Sequence, residues 1–411
     1  MTPGTAIVVF NRDLRVHDHP ALLAAASFEA VIPLFVFDPS IAAPPNRLAF
    51  LVSSLRELDV SLTKLGAPLV VRRGDTSAVL NALRDEHDVR AVFASGDYTP
   101  LARRREQRLA PETFPGVALA APGTLTPTGG DHFKVFTAYW RRWREVAAAR
   151  PVLAPPPRLR SAGVSGEVLP TVPPTKARVP VGGEAAARVL LRDLALAGYA
   201  SGGHDDLAGD RTSRLSPYLH FGCVSARECM ERVSSMGADG DAFVRQLCWR
   251  DFFLQFEAAQ PEPPDPMPVT PSREHTRLFA AWAAGRTGYP IVDAGMRQLL
   301  TEGWMHNRAR MITASFLVHD LGVDWRLGAA HFMHHLVDGD VANNNGNWRW
   351  VAGDGLNTRP GRELNPLRQA KRFDPSGAYV RRYVDDLDAS DYPAPIIDKT
   401  ELAAARNRQL T

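Results

Sequence analysis

Cysteine is scarce in this chain. Only Cys223, Cys229 and Cys248 occur among 411 residues, in no metal-ligand spacing. That argues against a disulfide scaffold, fits a reducing, cytoplasmic compartment and gives no reason to expect a metal. Long apolar runs are missing too: no stretch approaches the ~20 residues that span a bilayer, and the N-terminus lacks a charged-then-apolar leader, so no membrane partner is expected. Strong net charge is also absent, at +3. Its distribution is more informative, because Arg349 to Arg372 holds six Lys/Arg against two acids. Such a local surface can grip phosphates, although a solvated charged face is the plainer reading.

What is present divides the chain. The length allows two domains with substantial cores. Ile7–Phe10, Val31–Phe37, Leu69–Val71 and Ala91–Ala94 read as buried strands, and Leu48, Leu51, Val52, Leu55, Leu58, Leu62 and Leu65 fall at helical spacing between the second and third. Alternation of this kind predicts a doubly wound α/β domain with a parallel sheet, over 1–130. The turn after the first strand is Asn11-Arg12-Asp13-Leu14-Arg15, without a glycine-rich phosphate loop, so an ordinary dinucleotide site is not expected there. Eight prolines between 151 and 180 mark a connector inside a linker placed at 131–198. From 199 to 411 helical patterns dominate, as in Ala242–Ala259, Ile291–Thr301 and Arg308–Val318, and an all-helical domain carrying the chemistry is predicted.

Three segments of that half concentrate chemistry. Thr212-Ser213-Arg214-Leu215-Ser216 precedes a helix, where hydroxyls and backbone N–H groups either cap the helix or hold a phosphate. In Gln246-Leu247-Cys248-Trp249-Arg250, the amide, indole and guanidinium share one helical face, suited to a flat heteroaromatic ligand or to plain amphipathic packing. Trp304-Met305-His306-Asn307-Arg308-Ala309-Arg310 and Asp338-Gly339-Asp340-Val341-Ala342-Asn343-Asn344-Asn345-Gly346-Asn347-Trp348-Arg349-Trp350 gather amides, carboxylates and indoles beside apolar helices. Buried polar groups need partners, which a ligand rich in donors and acceptors provides.

These motifs, with GRTGYPIVDAGMRQL at 285–299, EGWMHNRARMITASFLV at 302–318 and the opening VVFNRDLRVHDHPAL, resemble DNA photolyases and cryptochromes along almost the whole chain. The resemblance implies light-driven repair of cyclobutane pyrimidine dimers in ultraviolet-damaged DNA by a monomer. Excited, reduced FAD would supply the electron. A blue-light-sensing cryptochrome and a (6-4) photolyase are the alternatives. The chain stops soon after Ile396-Ile397-Asp398 without a low-complexity tail, which favours the enzyme over the sensor.

By the same resemblance, Tyr199, Thr212, Ser213, Arg214, Leu215, Ser216, Arg250, Gly339 and Asp340 contact FAD, Arg310 pairs with Asp338 beside its ring, and Asn344 faces N5. Trp325 and Trp348 relay electrons. Gln246, Trp249, Arg250, Asn307, Arg308 and Trp350 meet the flipped lesion, and Arg368 a flanking phosphate. An antenna pigment, folate or deazaflavin, is possible, with Asp97-Tyr98-Thr99-Pro100 where one is often contacted. The chain departs from the pattern in carrying Gln246 where dimer photolyases often have Glu, and His204 where an Arg is common. It has Ser272, or a neighbour, where the outer tryptophan of the relay belongs, which leaves Trp282 as a substitute. His331 and His335 have the i, i+4 spacing of a metal pair but read as a helix-surface histidine group.

Overall fold

The computed structural model describes residues 2–41, 43–147, 150–260, 272–355 and 363–398. Five strands, β1 (Thr2–Val9), β2 (Phe28–Phe37), β3 (Val70–Arg73), β4 (Val89–Ser95) and β5 (Glu112–Phe114), form one parallel sheet in the order β3-β2-β1-β4-β5. Side chains alternate across it. Ala6, Val8, Val31, Phe35 and Phe93 face one core, and Ile7, Val9, Ile32, Leu34 and Val92 the other. A parallel sheet buried on both faces requires near-continuous apolar strands, which is what the sequence shows. All four expected strands are found, each longer than its apolar run. β5 was not expected: Glu112-Thr113-Phe114 is too short to display a period.

Helix Pro45–Leu65 begins on proline and ends at Gly66, whose φ of 105° closes the last turn. Its Phe50, Leu55, Leu58 and Leu62 belong to a core that continues into the C-terminal half through Leu215, Tyr218, Leu247 and Phe252. Sheet domain and helices therefore share one apolar interior. A second core, around Trp282, Ile291, Leu299, Ile312, Phe332 and Trp348, holds the remaining helices together.

The stretch read as a linker is not all connector. It contains helices Phe136–Ala147 and Glu184–Arg192, because Phe136, Tyr139, Trp143 and Ala147 fall on one buried face. Among its described residues, the proline-rich part from 150 to 183 lacks helix. It follows the sheet domain, with Val31 N donating to Arg160 O at 2.7 Å and Glu167 N to Val71 O at 2.9 Å, before Arg178 N reaches Thr301 O at 2.7 Å.

Beyond it, the described residues form helices without a strand. Helices Gly237–Ala258, Pro290–Glu302, Asn307–Ser315, Trp325–His335 and Val341–Ala352 carry most of the polar motifs. The helix expected at Arg308–Val318 ends at Ser315 and widens into a π-turn, Phe316–Asp320. No described helix is long and apolar enough to cross a membrane.

Candidate functional site

Two helices meet closely enough to build a pocket wall from both. A Cβ on Gly346 would lie 2.2 Å from the Phe253 ring, so only glycine lets helix Val341–Ala352 approach helix Gly237–Ala258 this closely. Gly328 does the same for Trp348, whose ring occupies the space a side chain there would need. Asn343, Asn347 and Trp350 of this helix line a cavity of about 510 Å³, and Asn343 and Asn347 are joined by Asn344, Trp348 and Val351 around a smaller recess of about 70 Å³. Arg310, Asp338 and Asp340 border both, so the two are one site at different depths. The larger volume falls within the roughly 300–1,000 Å³ typical of cofactor sites.

Depth grades the chemistry. Gln246 and Asn307 are exposed at the mouth, whereas Asn344 is 8% and Trp348 2% exposed in the recess. Gln246, Trp249, Arg250 and Phe253 stand on one face of their helix, as their spacing requires. Asn344 Nδ2 donates to Ala329 O at 3.0 Å, which fixes the amide. Trp249 stacks on Phe136, with centroids 3.6 Å apart.

The lining carries three arginine–aspartate pairs. Arg310 Nη2 reaches Asp338 at 2.8 and 3.1 Å; Arg308 reaches Asp205 at 2.5 and 3.1 Å; Arg12 Nη2 reaches Asp340 at 2.5 Å. Asp340 also caps helix Val341–Ala352, its Oδ1 accepting from Asn343 N at 2.8 Å and Asn343 Nδ2 at 2.7 Å. Burial works to raise the Asp340 carboxyl, but Arg12, then His220 and Asn343, hold it well below the usual range. Arg250 is the fourth guanidinium in the wall. It donates to Val117 O at 2.6 Å and Leu219 O at 3.4 Å.

Several expected contacts lie elsewhere. Among 212–216, Ser213 and Ser216 line the cavity, and Trp304 Nε1 donates to Ser216 Oγ at 3.0 Å. Leu215 is fully buried in the core, and Thr212 donates to Asp210 at 3.1 Å. Arg214, at a left-handed φ of 53°, turns away to pair with Asp210 and Glu302 and lies 3.8 Å over the Trp304 ring. These three brace the loop and do not line the cavity. Tyr199 lines it, beside His204. Gly339 borders only the recess. Trp325 touches neither space; it is half-buried under Arg326. Arg368 is exposed on helix Pro366–Phe373, away from the cavity. Of the basic stretch 349–372, Arg359 and Arg362 lie outside the described residues. Trp282 is fully buried, 6.2 Å from Trp348 between centroids.

The sequence reading missed Arg12, His220 and Met311. Arg12 comes from the turn after β1, inside the opening VVFNRDLRVHDHPAL, where no role was read for it. The donor set suits a flavin dinucleotide. Aromatic and apolar walls match a flat ring, the amides match a polyol, and arginines outnumber lining aspartates by one, favouring an anion. His220 Nδ1 is buried, 3.8 Å from Asp340 and without a hydrogen-bond partner, as expected of a wall built for a further polar group.

Residues 6–159 match the DNA photolyase family, and residues 243–410 match the FAD binding domain of DNA photolyase. A deoxyribodipyrimidine photo-lyase of Streptomyces griseus is 44% identical, over 98% of this chain and 99% of its own. This chain belongs to the DNA photolyase/cryptochrome family. Solved relatives agree along the full length. A bacterial class III photolyase from Agrobacterium tumefaciens superposes with a TM-score of 0.90 at 32% identity, covering 100% of this chain and 99% of its own. An archaeal photolyase from Sulfolobus tokodaii, solved with two FAD molecules, gives 0.86 at 30% identity, covering 99% of each chain. The sheet domain and the helical domain are thus those of photolyases.

Proposed function

We propose that this chain repairs cyclobutane pyrimidine dimers in DNA using light, with FAD held in the cavity and recess and the lesion admitted at the mouth. The observation that carries the reading is the closing of the Asp338–Trp350 cluster, Arg310 and the Gln246–Phe253 face around one space, with indoles at its walls. FAD held there would supply, when reduced and excited by light, an electron that opens the cyclobutane ring and then returns to the flavin.

The protein's part is to bind, orient and exclude water. Arg310 and Asp338 fix each other at the border of the two spaces, so the flavin would meet a charge-balanced ion pair there. Asn344, tied to Ala329 O, presents a fixed amide that neither gains nor loses a proton near neutrality. Ser213, Ser216 and Tyr199 hold the rest of the dinucleotide, with Asp340 and Arg250 at the domain seam, while Thr212, Arg214 and Leu215 brace the loop behind them. A flipped dimer stacks on Trp249 and Trp350 beside Gln246, Asn307 and Arg308. An antenna pigment of unassigned identity is proposed near Asp97 and Tyr98 on the resemblance alone. The Tyr98 ring packs against Val117, Ala118 and Leu254.

The test is direct. Purified protein should show a flavin absorption spectrum and, once reduced, should restore thymine dimers in an oligonucleotide under near-ultraviolet or blue light. FAD-loaded protein without dimer repair overturns the reading; repair of (6-4) photoproducts in its place overturns the lesion class.

A further inference from the structure

We infer that Arg12, contributed by the sheet domain, is a positioning residue of the flavin site that acts by clamping the Asp340 carboxylate at the head of helix Val341–Ala352. The inference rests on the cavity being the FAD site.

The turn bearing Arg12 is seated rigidly against the helical domain. Leu14 N donates to Phe221 O at 3.1 Å, and the fully buried Arg15 donates to Gly222 O at 3.0 Å. Gly222 has φ of 66°, and a Cβ there would lie 2.0 Å from Arg12 O, so the two backbones touch. Asp13 stiffens the turn by accepting from Asn11 N at 2.7 Å and pairing with His19 at 3.1 Å, both side chains fully buried.

From that base the guanidinium reaches three segments at once. Nε donates to His220 O at 3.0 Å, Nη2 to Asp340 Oδ2 at 2.5 Å, and Nη1 lies 3.5 Å from Asp97 Oδ1. Asp340 and Arg12 are 328 residues apart. The other Asp340 oxygen is engaged by Asn343, so the position of Asp340 sets the position of the helix presenting Asn343 and Asn347 to the cavity and Asn344 to the recess. Arg12 thus connects the Asp97 turn of the sheet domain to the amide-bearing wall of the flavin site.

The charge around Asp340 explains why an arginine is needed. Facing it are Arg12 and Asp97 from the sheet domain, His220 from helix Ser216–His220, and Arg250 and Glu257 from helix Gly237–Ala258. Burial pushes Asp340 towards the neutral acid, and Arg12 is the largest influence opposing it. Without Arg12 the carboxyl takes up a proton at much higher pH, and the helix cap and the charge of the site change together.

The experiment measures FAD binding by the fluorescence of released flavin from about pH 5 to 8, bracketing the titration of a perturbed carboxyl, with melting temperature as the check on folding. Arg12→Gln should bind FAD at least about tenfold more weakly, losing a charge-assisted contact. Its affinity should fall further with acid, by up to about tenfold per pH unit for one linked proton, where the native protein shows no such slope. Arg12→Lys should restore most of the affinity and the flat profile, and Arg12→Gln combined with Asp340→Asn should lose the slope. A folded Arg12→Gln protein with native affinity and no slope overturns the inference, as does a slope that survives Asp340→Asn. Should Arg12→Gln fail to fold, Arg12→Lys decides: its effect on affinity should vanish in an Asp340→Asn background, and an undiminished effect there overturns the inference. A native protein that binds no FAD at any pH refutes the proposed function instead.

Discussion

Trp249 lies parallel to Phe136, with planes within 2° and centroids 3.6 Å apart. One face of the indole is thereby occupied by helix Phe136–Ala147, and the residue also borders the cavity. The stack fixes the ring before any substrate arrives, which lowers the entropy lost on binding.

Phe136→Ala should therefore act on function as well as on stability. Removal of a buried phenylalanine destabilises by about 3–5 kcal/mol, readable by urea unfolding. Among the molecules still folded, affinity for dimer-containing DNA should drop several-fold with flavin content unchanged. Unaltered affinity would show that the stack contributes packing alone.

Trp350 borders the same cavity. Trp350→Ala should weaken binding of damaged DNA far more than of undamaged DNA, since stacking contributes roughly 1–3 kcal/mol per base. Arg368→Ala, on the exposed helix, should instead weaken both and reduce the salt slope by about one. Competition binding at several salt concentrations separates the two. Equal losses for Trp350→Ala, or an unchanged slope for Arg368→Ala, would refute the assignments.

Trp348 is the indole nearest the recess, and both Trp282 and the helix bearing Trp325 adjoin it. Trp348→Phe should abolish photoreduction of oxidised FAD, followed by bleaching of its blue absorbance, and leave repair by chemically reduced enzyme intact. Trp282→Phe should slow photoreduction. If it leaves the rate unchanged, the branch through Trp282 is not used.

His306 is 1% exposed, and its Nδ1 accepts from Arg308 N at 3.1 Å. Burial pushes its pKa down from 6.5 to about 4. The unfolded chain binds a proton near pH 6.5 that the folded chain refuses until about pH 4. The stability from keeping His306 neutral is therefore complete above pH 6.5 and declines as pH falls through this window, by about 3 kcal/mol at most. His306→Asn, which keeps a cap acceptor, should flatten that part of the stability profile in urea titrations. A profile that keeps the native steepness would locate the effect elsewhere.

The parts of the site that were legible in sequence are those set by short-range periodicity. Gln246, Trp249 and Arg250 share a helical face at i, i+3 and i+4, and they do line one wall. The apolar strand runs likewise placed the sheet. Arg12 was invisible because its partner lies 328 residues away and nothing local announces the contact. Leu215 and Arg214 do not line the cavity, for a different reason. A single left-handed φ at Arg214 reverses the direction of successive side chains, and pattern alone does not reveal it. Trp325, read as a relay residue and not as part of the wall, lies on the helix that Gly328 brings against Trp348.

The contact between Gly346 and Phe253 carries a lesson for anyone seeking to enlarge the range of lesions this protein accepts. A hydrogen atom sets the spacing of the two helices there, so added bulk would pry them apart and spoil the cradle on both sides. Redesign has its freedom at the rim, around Gln246 and Asn307, where side chains are exposed and neighbours can yield.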